Sequence, residues 1–283
     1  MPGGITNVNY RVDVDGEAFV VRIAAEGAER FGIDRQREYQ CAVAASRTGV
    51  APEVVHVLPE EGILVTRFVA GRPLSSTEMV KPEVMKRVVQ SMRRYHGGPA
   101  FEGSFSPFRT IEAYLREARG DNAPLPEDID ELCSRLPEIE AALERGQTTV
   151  GPCHNDLWGP NLIDDGTQVR IVDWEYAGMG DIFFDLANFA IYQGASGIST
   201  SDTGDEALLR AYFRKVSDAA FARLKLLKIV AELREALWYV VGLTLSMADP
   251  DFAGCAQTHF ARYRQALGDS RLPSWLDAAV HVA

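Results

Sequence analysis

Residues 153–175 read CHNDLWGPNLIDDGTQVRIVDWE, and the prediction of the fold begins with them. Three polar residues of this stretch, Asp156, Asn161 and Asp173, stand at separations of five and twelve. Between the last two, a short apolar strand, an Asp165-Gly166 turn and the strand VRIVDW predict a hairpin. Because Asp and Asn commonly occupy turns and caps, any one of the three has an ordinary structural explanation by itself.

Together, the three residues have the chemistry that transfer of a γ-phosphoryl group requires. That reaction needs Mg²⁺ to neutralise the phosphates, a carboxylate to orient and deprotonate the attacking hydroxyl, and a cation on the nucleotide side. Asp156 is predicted to be the carboxylate that serves the acceptor hydroxyl. Asn161 and Asp173 are predicted to bind the metal, since amide and carboxylate oxygens are hard ligands.

The other polar residues of the same stretch are predicted to have structural roles. His154 is interpreted as a scaffold residue that holds the loop, and not as a base. Asp164 and Asp165 are assigned to the hairpin turn and to nothing more.

The sequence before this stretch predicts a small sheet with one helix. Apolar and polar residues alternate over residues 6–14 and 17–23 around Asp15-Gly16, a strong hairpin signal. Asp34 offers an N-cap to a helix, and two further strands surround a Glu61-Gly62 turn.

The remaining sequence is mainly helical. Stretches with helical periodicity begin near Pro82, Thr110, Pro126, Asp181, Asp205 and Phe221. The pattern predicts an α+β fold with an antiparallel-sheet lobe over residues 1–70 and a larger helical lobe over residues 71–283. A hinge is predicted at about residues 66–72, where Gly and Pro occur together.

Composition excludes several classes of function. The chain has 283 residues, 46% of them hydrophobic, and a net charge of −11, so a phosphate backbone of nucleic acid is a poor partner. Four scattered cysteines without CxxC spacing argue against a zinc site or a disulfide framework. The sequence shows no signal peptide and no apolar run long enough for membrane insertion, which predicts a soluble cytoplasmic protein.

The order H-N-D-x-x-x-x-N, then a hairpin, then two apolar residues and Asp resembles the catalytic and metal-binding segments of the protein-kinase-like superfamily. CHNDLWGPNLI followed by IVDWEYAGMGDIFFDLANF is more closely similar to the aminoglycoside phosphotransferase and choline/ethanolamine kinase group. The second segment resembles the signature of choline kinases. The resemblance implies a bilobal protein-kinase-like fold, ATP and Mg²⁺ as cofactors, and a small alcohol as acceptor.

The resemblance also implies a nucleotide site in the N-terminal lobe. GGITNVNYRV at residues 3–12 resembles the turn that covers the ATP phosphates, with Gly4, Thr6 and Asn7 near the anion. Arg22 matches the phosphate-binding cation and Glu38 its acidic partner, although both could also be surface charges.

Residues of the hinge are expected to meet the adenine. Backbone N–H and C=O groups at residues 65–71 can pair with the adenine edge, and Phe68 and Val69 are predicted to lie near it. Because the backbone makes these bonds, the identity of the side chains is uninformative.

Aromatic residues of the helical lobe are candidates for the acceptor pocket. A quaternary ammonium has no N–H, so aromatic faces and nearby carboxylates must recognise it. Glu235 precedes Trp238 by three residues on a predicted helix, and Trp158 and Tyr192 are further candidates. Tyr192 stands where eukaryotic choline kinases carry an acid. Each of these aromatic residues could instead belong to the core.

These observations predict an ATP- and Mg²⁺-dependent kinase that phosphorylates choline or a similar amino alcohol such as ethanolamine. An aminoglycoside, thiamine, homoserine or a sugar stays open as the acceptor. The alternative that is not an enzyme is a kinase-like module that binds nucleotide without catalysis. A homodimer is compatible with both the kinase and the module.

Overall fold

The computed structural model describes residues 6–146, 149–193, 201–245 and 251–279. Gly4, predicted to contact the nucleotide phosphates, lies outside the described residues. Among the residues described, no helix combines the length and the apolar character needed to cross a bilayer.

Strands and helices follow each other along the chain in a mixed order. The strands are β1 (Asn7–Val14), β2 (Glu17–Ala24), β3 (Val54–Leu58), β4 (Ile63–Arg67), β5 (Arg72–Pro73), β6 (Val150–Cys153), β7 (Leu162–Asp164), β8 (Val169–Ile171) and β9 (Gly178–Asp181). The helices are α1 (Arg35–Ser46), α2 (Ser76–Met79), α3 (Pro82–His96), α4 (Pro107–Gly120), α5 (Ile129–Cys133), α6 (Leu136–Arg145), α7 (Ile182–Ile191), α8 (Asp202–Phe213), α9 (Asp218–Thr244), α10 (Phe252–Leu267) and α11 (Leu272–Ala278).

The described chain forms two compact units. One comprises residues 1–105 and 151–180, and the other comprises residues 106–150 and 181–283. The catalytic segment therefore belongs to the same unit as the N-terminal strands. The division by packing does not test the predicted lobe boundary near residues 66–72, which stays a prediction.

The first unit contains a four-stranded antiparallel sheet in the order β1-β2-β4-β3. Asp15 and Gly16 have φ angles of 51° and 84°, the positive values that a tight two-residue hairpin demands. The predicted hairpin is confirmed. Helix α1 also begins as predicted, because the Asp34 side chain accepts a hydrogen bond from the N–H of Arg37 (3.1 Å).

Residues 162–171 form the predicted second hairpin. Strand β7 pairs with β8 in the antiparallel register Leu162↔Ile171, and β5 adds a third strand to this sheet. Helix α3 packs on the hairpin, where the hydroxyl of Ser91 donates to the carbonyl of Val169 (2.5 Å). Helix α3 therefore supports the strand that leads into Asp173.

Asp164 is more than a turn residue, and the prediction for it was wrong. Its buried carboxylate accepts two hydrogen bonds from α3, from Arg87 Nε (3.0 Å) and Nη2 (2.6 Å). Asp165 does have the predicted turn role, since its exposed carboxylate accepts from the N–H groups of Thr167 and Gln168 (both 2.8 Å). The two neighbours differ because Asp164 ends β7 and its side chain lies against α3.

The second unit is built around the long helix α9. Most of its apolar residues are buried, and it packs against α4, α7, α10 and α11. Buried charges on this helix are compensated locally. Lys228 donates to both carboxylate oxygens of Asp205 on α8 (2.7 and 2.9 Å), and Arg223 Nε donates to Asp181 (2.9 Å).

The sequence predicted some of the helices and missed others. All seven predicted helices, including the one capped by Asp34, have a counterpart that begins within three residues of the predicted start. Helices α2, α6, α10 and α11 and the strand pair β6-β9 were not predicted.

The neighbours Asp164 and Asp165 provide a matched test of the buried ion pair. Asp164→Asn should lower the free energy of unfolding by about 2–3 kcal/mol, because Arg87 loses a charged partner inside the protein. Asp165→Asn should leave the free energy of unfolding close to that of the wild type, since the amide oxygen can still accept from the turn. Chemical denaturation of both variants measures the difference, and equal effects would contradict the assignment.

Candidate active site

The loop before Asp156 is held by a completely buried histidine. His154 Nδ1 accepts the N–H of Asp156 (3.2 Å), and Nε2 lies 3.0 Å from the carbonyl of Val172. Because Nδ1 acts as an acceptor, the proton is assigned to Nε2, which donates to Val172. Both ring nitrogens are therefore occupied, in agreement with the predicted scaffold role.

Two polar residues of the site have left-handed backbone conformations. Asn155 has a φ of 67° and Asp173 a φ of 66°. Asn and Asp tolerate this region better than other non-glycine residues, but it still costs about 1–2 kcal/mol. Asn155 offsets part of the cost, because its side chain donates to the carbonyl of Tyr176 (2.9 Å). The loop at 154–156 is thus fastened to residues 172–176 at two points.

Asp156 and Asn161 are in direct contact. Asn161 Nδ2 donates to the Asp156 carboxylate (2.8 Å) and to its carbonyl (3.0 Å). Residues 161 and 173 are also neighbours, since the N–H of Val172 donates to the carbonyl of Asn161 (3.0 Å). The structure therefore brings together the three residues that the sequence predicted for catalysis and metal binding.

The residues fit a magnesium ion by their chemistry. The amide nitrogen of Asn161 is engaged with Asp156, which leaves the amide oxygen to face a metal. That oxygen and the carboxylate of Asp173 are the hard oxygen ligands that Mg²⁺ prefers.

Gly159 allows the loop between Asp156 and Asn161 to pass close to another backbone segment. A Cβ atom at this position would lie 2.1 Å from the carbonyl oxygen of Leu74. The N–H of Leu74 donates to the carbonyls of Gly159 (3.2 Å) and Leu162 (3.0 Å), which fixes the approach. Only glycine fits there without displacing the backbone.

The predicted pair of Arg22 and Glu38 is present, and its contacts extend to Asp173, the predicted metal ligand. The Arg22 guanidinium contacts the carboxylates of both Glu38 and Asp173. Arg22 is 8% exposed and Glu38 is completely buried, so neither is a surface charge. A role of this pair toward nucleotide stays a prediction.

Sequence reasoning missed two charged residues beside this pair. Arg35 Nη1 lies 2.7 Å from Glu38 and 3.2 Å from Glu175, and Glu175 is almost completely buried. Burial raises the pKa of Glu175 and the charge of Asp173 adds to the rise, while Arg22 and Arg35 oppose it. The spacing of Arg35 three residues before Glu38 on one helix was the available signal.

Thr6 and Asn7, predicted to lie near the phosphates, have buried side chains that bind Glu175. The Thr6 hydroxyl donates to Glu175 Oε1 (2.8 Å), and Asn7 Nδ2 donates to Oε2 (2.9 Å). Their side chains therefore face the protein, and any contact with an anion would come from the backbone.

The prediction that the hinge residues lie near adenine is untested, but the structure shows that one backbone donor of the hinge is already used within the protein. The N–H of Phe68 donates to the carbonyl of Ala18 (2.9 Å), so that group cannot also pair with adenine. The guanidinium of Arg11 lies 4.5 Å from the centre of the Phe68 ring. The prediction for Val69 stays untested.

Glu235 and Tyr192 meet in the second unit. The Tyr192 hydroxyl donates to Glu235 Oε2 (2.7 Å), Asn188 Nδ2 donates to Oε1 (3.2 Å), and Arg234 contacts the same carboxylate. Glu235 is only 4% exposed. Its carboxylate is therefore compensated within the protein, which the sequence did not predict.

Trp238 lies in an aromatic cluster of this unit. Its ring centre is 5.1 Å from that of Tyr239 and 5.6 Å from that of Phe252, and Tyr239 stacks on His259 at 5.7 Å. Trp238 and Tyr239 are both half-buried. The sequence missed Phe252 and His259, which come from α10.

Two further tryptophans, Trp158 and Trp174, lie in the segment that carries the predicted catalytic residues. Of these two, only Trp158 is partly exposed. Trp158 is half-buried, and its predicted role toward the acceptor stays a prediction. Trp174 is a core residue, 3% exposed, whose Nε1 donates to the carbonyl of Ile171 (3.1 Å).

Known proteins resemble this chain over most of its length. The family model for choline/ethanolamine kinase matches residues 1–264. The crystal structure of a choline/ethanolamine kinase family protein from Mesorhizobium loti aligns with a TM-score of 0.82 and 30% identity. That alignment covers 98% of this chain and 90% of the other, and it confirms the predicted α+β kinase-like fold.

Two curated proteins match a shorter region. Protein LicA of Haemophilus influenzae is 28% identical over 189 residues, which cover 65% of this chain and 55% of LicA. Thiamine kinase of Escherichia coli is 38% identical over 185 residues, which cover 65% of this chain and 62% of that protein. The chain thus spans somewhat more than half the length of these relatives. Because the family model covers far more than half of the chain, the protein belongs to the choline/ethanolamine kinase family.

Proposed function

We propose that the protein is an ATP- and Mg²⁺-dependent kinase that phosphorylates the hydroxyl of choline or a similar amino alcohol. The observation that carries the proposal is the contact between Asp156 and Asn161, together with the backbone hydrogen bond that joins Asn161 to Val172, the residue before Asp173. Membership of the choline/ethanolamine kinase family supports the same reaction class.

The residues of the first unit would divide the reaction between them. Asp156 would orient the acceptor hydroxyl and accept its proton as the oxygen bonds to the γ-phosphorus and the bond from that phosphorus to ADP breaks. Asn161 and Asp173 would hold Mg²⁺, which when bound neutralises the phosphate charge. Arg22, fixed by Glu38, would supply the cation on the nucleotide side.

A cationic acceptor is supported by the aromatic cluster on α9 and α10. Trp238 and Tyr239 are both partly exposed, and aromatic faces attract a quaternary ammonium without hydrogen bonds. The net charge of −11 also favours a cationic over an anionic acceptor.

Thiamine is the second candidate acceptor. The relative described as thiamine kinase is 38% identical over 185 residues. Thiamine carries a ring cation and a primary alcohol, so the same aromatic recognition would serve it. A kinase-like module without catalysis is less well supported, because such a module has no need to retain Asp156, Asn161 and Asp173 together.

Replacement of the proposed base tests the reaction class. Asp156→Asn should lower turnover by about 10²–10⁴-fold, because the amide cannot accept the proton of the acceptor hydroxyl. Binding of ADP, measured by calorimetry, should be largely unchanged. ADP release should be assayed with choline, ethanolamine, thiamine, homoserine and an aminoglycoside, and without acceptor.

Asp165→Asn is the matched control, since Asp165 is an exposed acid of the same segment that binds only its own turn. It should leave turnover unchanged. The proposal fails if Asp156→Asn retains wild-type turnover, or if the wild-type protein phosphorylates no acceptor of the panel.

Replacement of Trp238 tests aromatic recognition of the acceptor. Trp238→Leu should raise the KM for choline by about 2- to 30-fold, the loss expected for a cation–π contact. The KM for the neutral carbon isostere of choline should change much less, because that alcohol has no charge for the ring to attract. Leu243→Ala, at a partly exposed position of the same helix, is the control. Equal changes for both alcohols would argue against a cation–π contact.

A further inference from the structure

Five charged side chains of the first unit form a chain of alternating sign. Asp173 contacts Arg22, Arg22 contacts Glu38, Glu38 contacts Arg35, and Arg35 contacts Glu175. Glu38 has no exposed surface, and Arg22 and Glu175 are 8% and 4% exposed. Inside a protein, a charge that loses its partner is costly, so each member of the chain constrains the next.

Glu175 connects this chain of charges to Thr6 and Asn7, the described end of the predicted phosphate-covering turn, where β1 begins; these two residues are called the 6–7 turn. Its carboxylate accepts the Thr6 hydroxyl (2.8 and 2.9 Å to the two oxygens), Asn7 Nδ2 (2.9 Å) and Arg35 Nη1 (3.2 Å). Arg35 Nη2 also donates to the carbonyl of Thr6 (3.1 Å). The turn is thus held both by its side chains and by its main chain.

These contacts join segments that are far apart in the sequence. Thr6 and Glu175 are separated by 169 residues, and Glu175 follows the proposed metal ligand Asp173 by two. The turn that is expected to cover the nucleotide phosphates is therefore fixed to the segment that is expected to carry the metal.

We propose that Glu175, assisted by Arg35, is a positioning residue that holds the 6–7 turn in a nucleotide-binding arrangement. The inference rests on the proposed kinase function and adds a residue to it. Glu175 acts through Thr6 and Asn7 and is not itself a ligand of the metal, because three donors already occupy its carboxylate. A turn held in advance does not have to be ordered when the nucleotide binds, which increases affinity.

Glu175→Gln should weaken nucleotide binding through the turn. The glutamine side chain keeps only one of the two acceptor oxygens of Glu175, and it removes the charge that pairs with Arg35. The affinity for ADP should fall by about 10- to 100-fold, the range expected when hydrogen bonds to a charged group are lost.

The experiment combines calorimetry of ADP, with and without Mg²⁺, with steady-state kinetics. In Glu175→Gln the affinity for ADP should fall in both titrations. The KM for ATP should rise more than kcat falls, and the KM for the acceptor should not change. Glu17→Gln is the control, since Glu17 is an exposed acid of the same sheet that pairs with Arg67 (2.8 Å), and it should behave as the wild type.

Thr6→Val removes the hydrogen bond between Thr6 and Glu175 by removing its donor. This variant replaces Glu175→Gln in the experiment if Glu175→Gln does not fold. It should also weaken ADP binding, and adding it to Glu175→Gln should cause little further loss.

Wild-type ADP affinity in Glu175→Gln overturns the proposal, and so does wild-type affinity in Thr6→Val. A loss confined to the titration with Mg²⁺ also overturns it, because Glu175 would then be a metal ligand. If the wild-type protein itself neither binds ADP nor phosphorylates an acceptor, the kinase function fails instead.

Discussion

The buried carboxylate of Glu38 is the constraint on which the organisation of the first unit depends. A carboxylate without access to water is stable only with close cationic partners, and Glu38 obtains two, Arg22 from β2 and Arg35 from its own helix. The requirement fixes α1 against the sheet. The same two guanidinium groups also contact the carboxylates of Asp173 and Glu175. The cations that neutralise Glu38 therefore also position the residues around the proposed phosphate site.

Local strain is the second element of this arrangement. Asn155 and Asp173 both have positive φ angles, and each stands beside or within the proposed catalytic set. Such conformations persist only where surrounding contacts determine them. Here His154 and Asn155 supply those contacts by bonding to the carbonyls of Val172 and Tyr176. The short polar side chains therefore combine tolerance of the backbone conformation with the bonds that stabilise it.

Much of the fold could be predicted from the sequence because its signals are local. The turns at Asp15-Gly16 and Asp165-Gly166 and the cap at Asp34 depend on residues that are adjacent or three apart, and all three are present. The grouping of Asp156, Asn161 and Asp173 could also be predicted, because a hairpin returns the chain to the same place.

The features that were missed depend on contacts between distant parts of the sequence. The partner of Asp164 is Arg87, which lies 77 residues away, and the partners of Glu175 lie 140, 168 and 169 residues away. No periodicity or turn rule relates such residues. Helix α10, which supplies Phe252 and His259 to the aromatic cluster, was missed as well, and with it most of the surroundings of Trp238.

The compensation of charge on α9 bears on the choice of acceptor. An aminoglycoside carries several ammonium groups and is best matched by several carboxylates that lack other partners. Of the acids on this part of α9, Glu235 is bonded by Tyr192 and contacted by Arg234, and Glu232 pairs with His259 (2.6 Å). If an acceptor binds at α9, as proposed, the helix would offer it aromatic surface more than negative charge. Such a surface attracts a single, weakly hydrated cation such as a quaternary ammonium or a thiazolium ring, and it gives little advantage to a polycation.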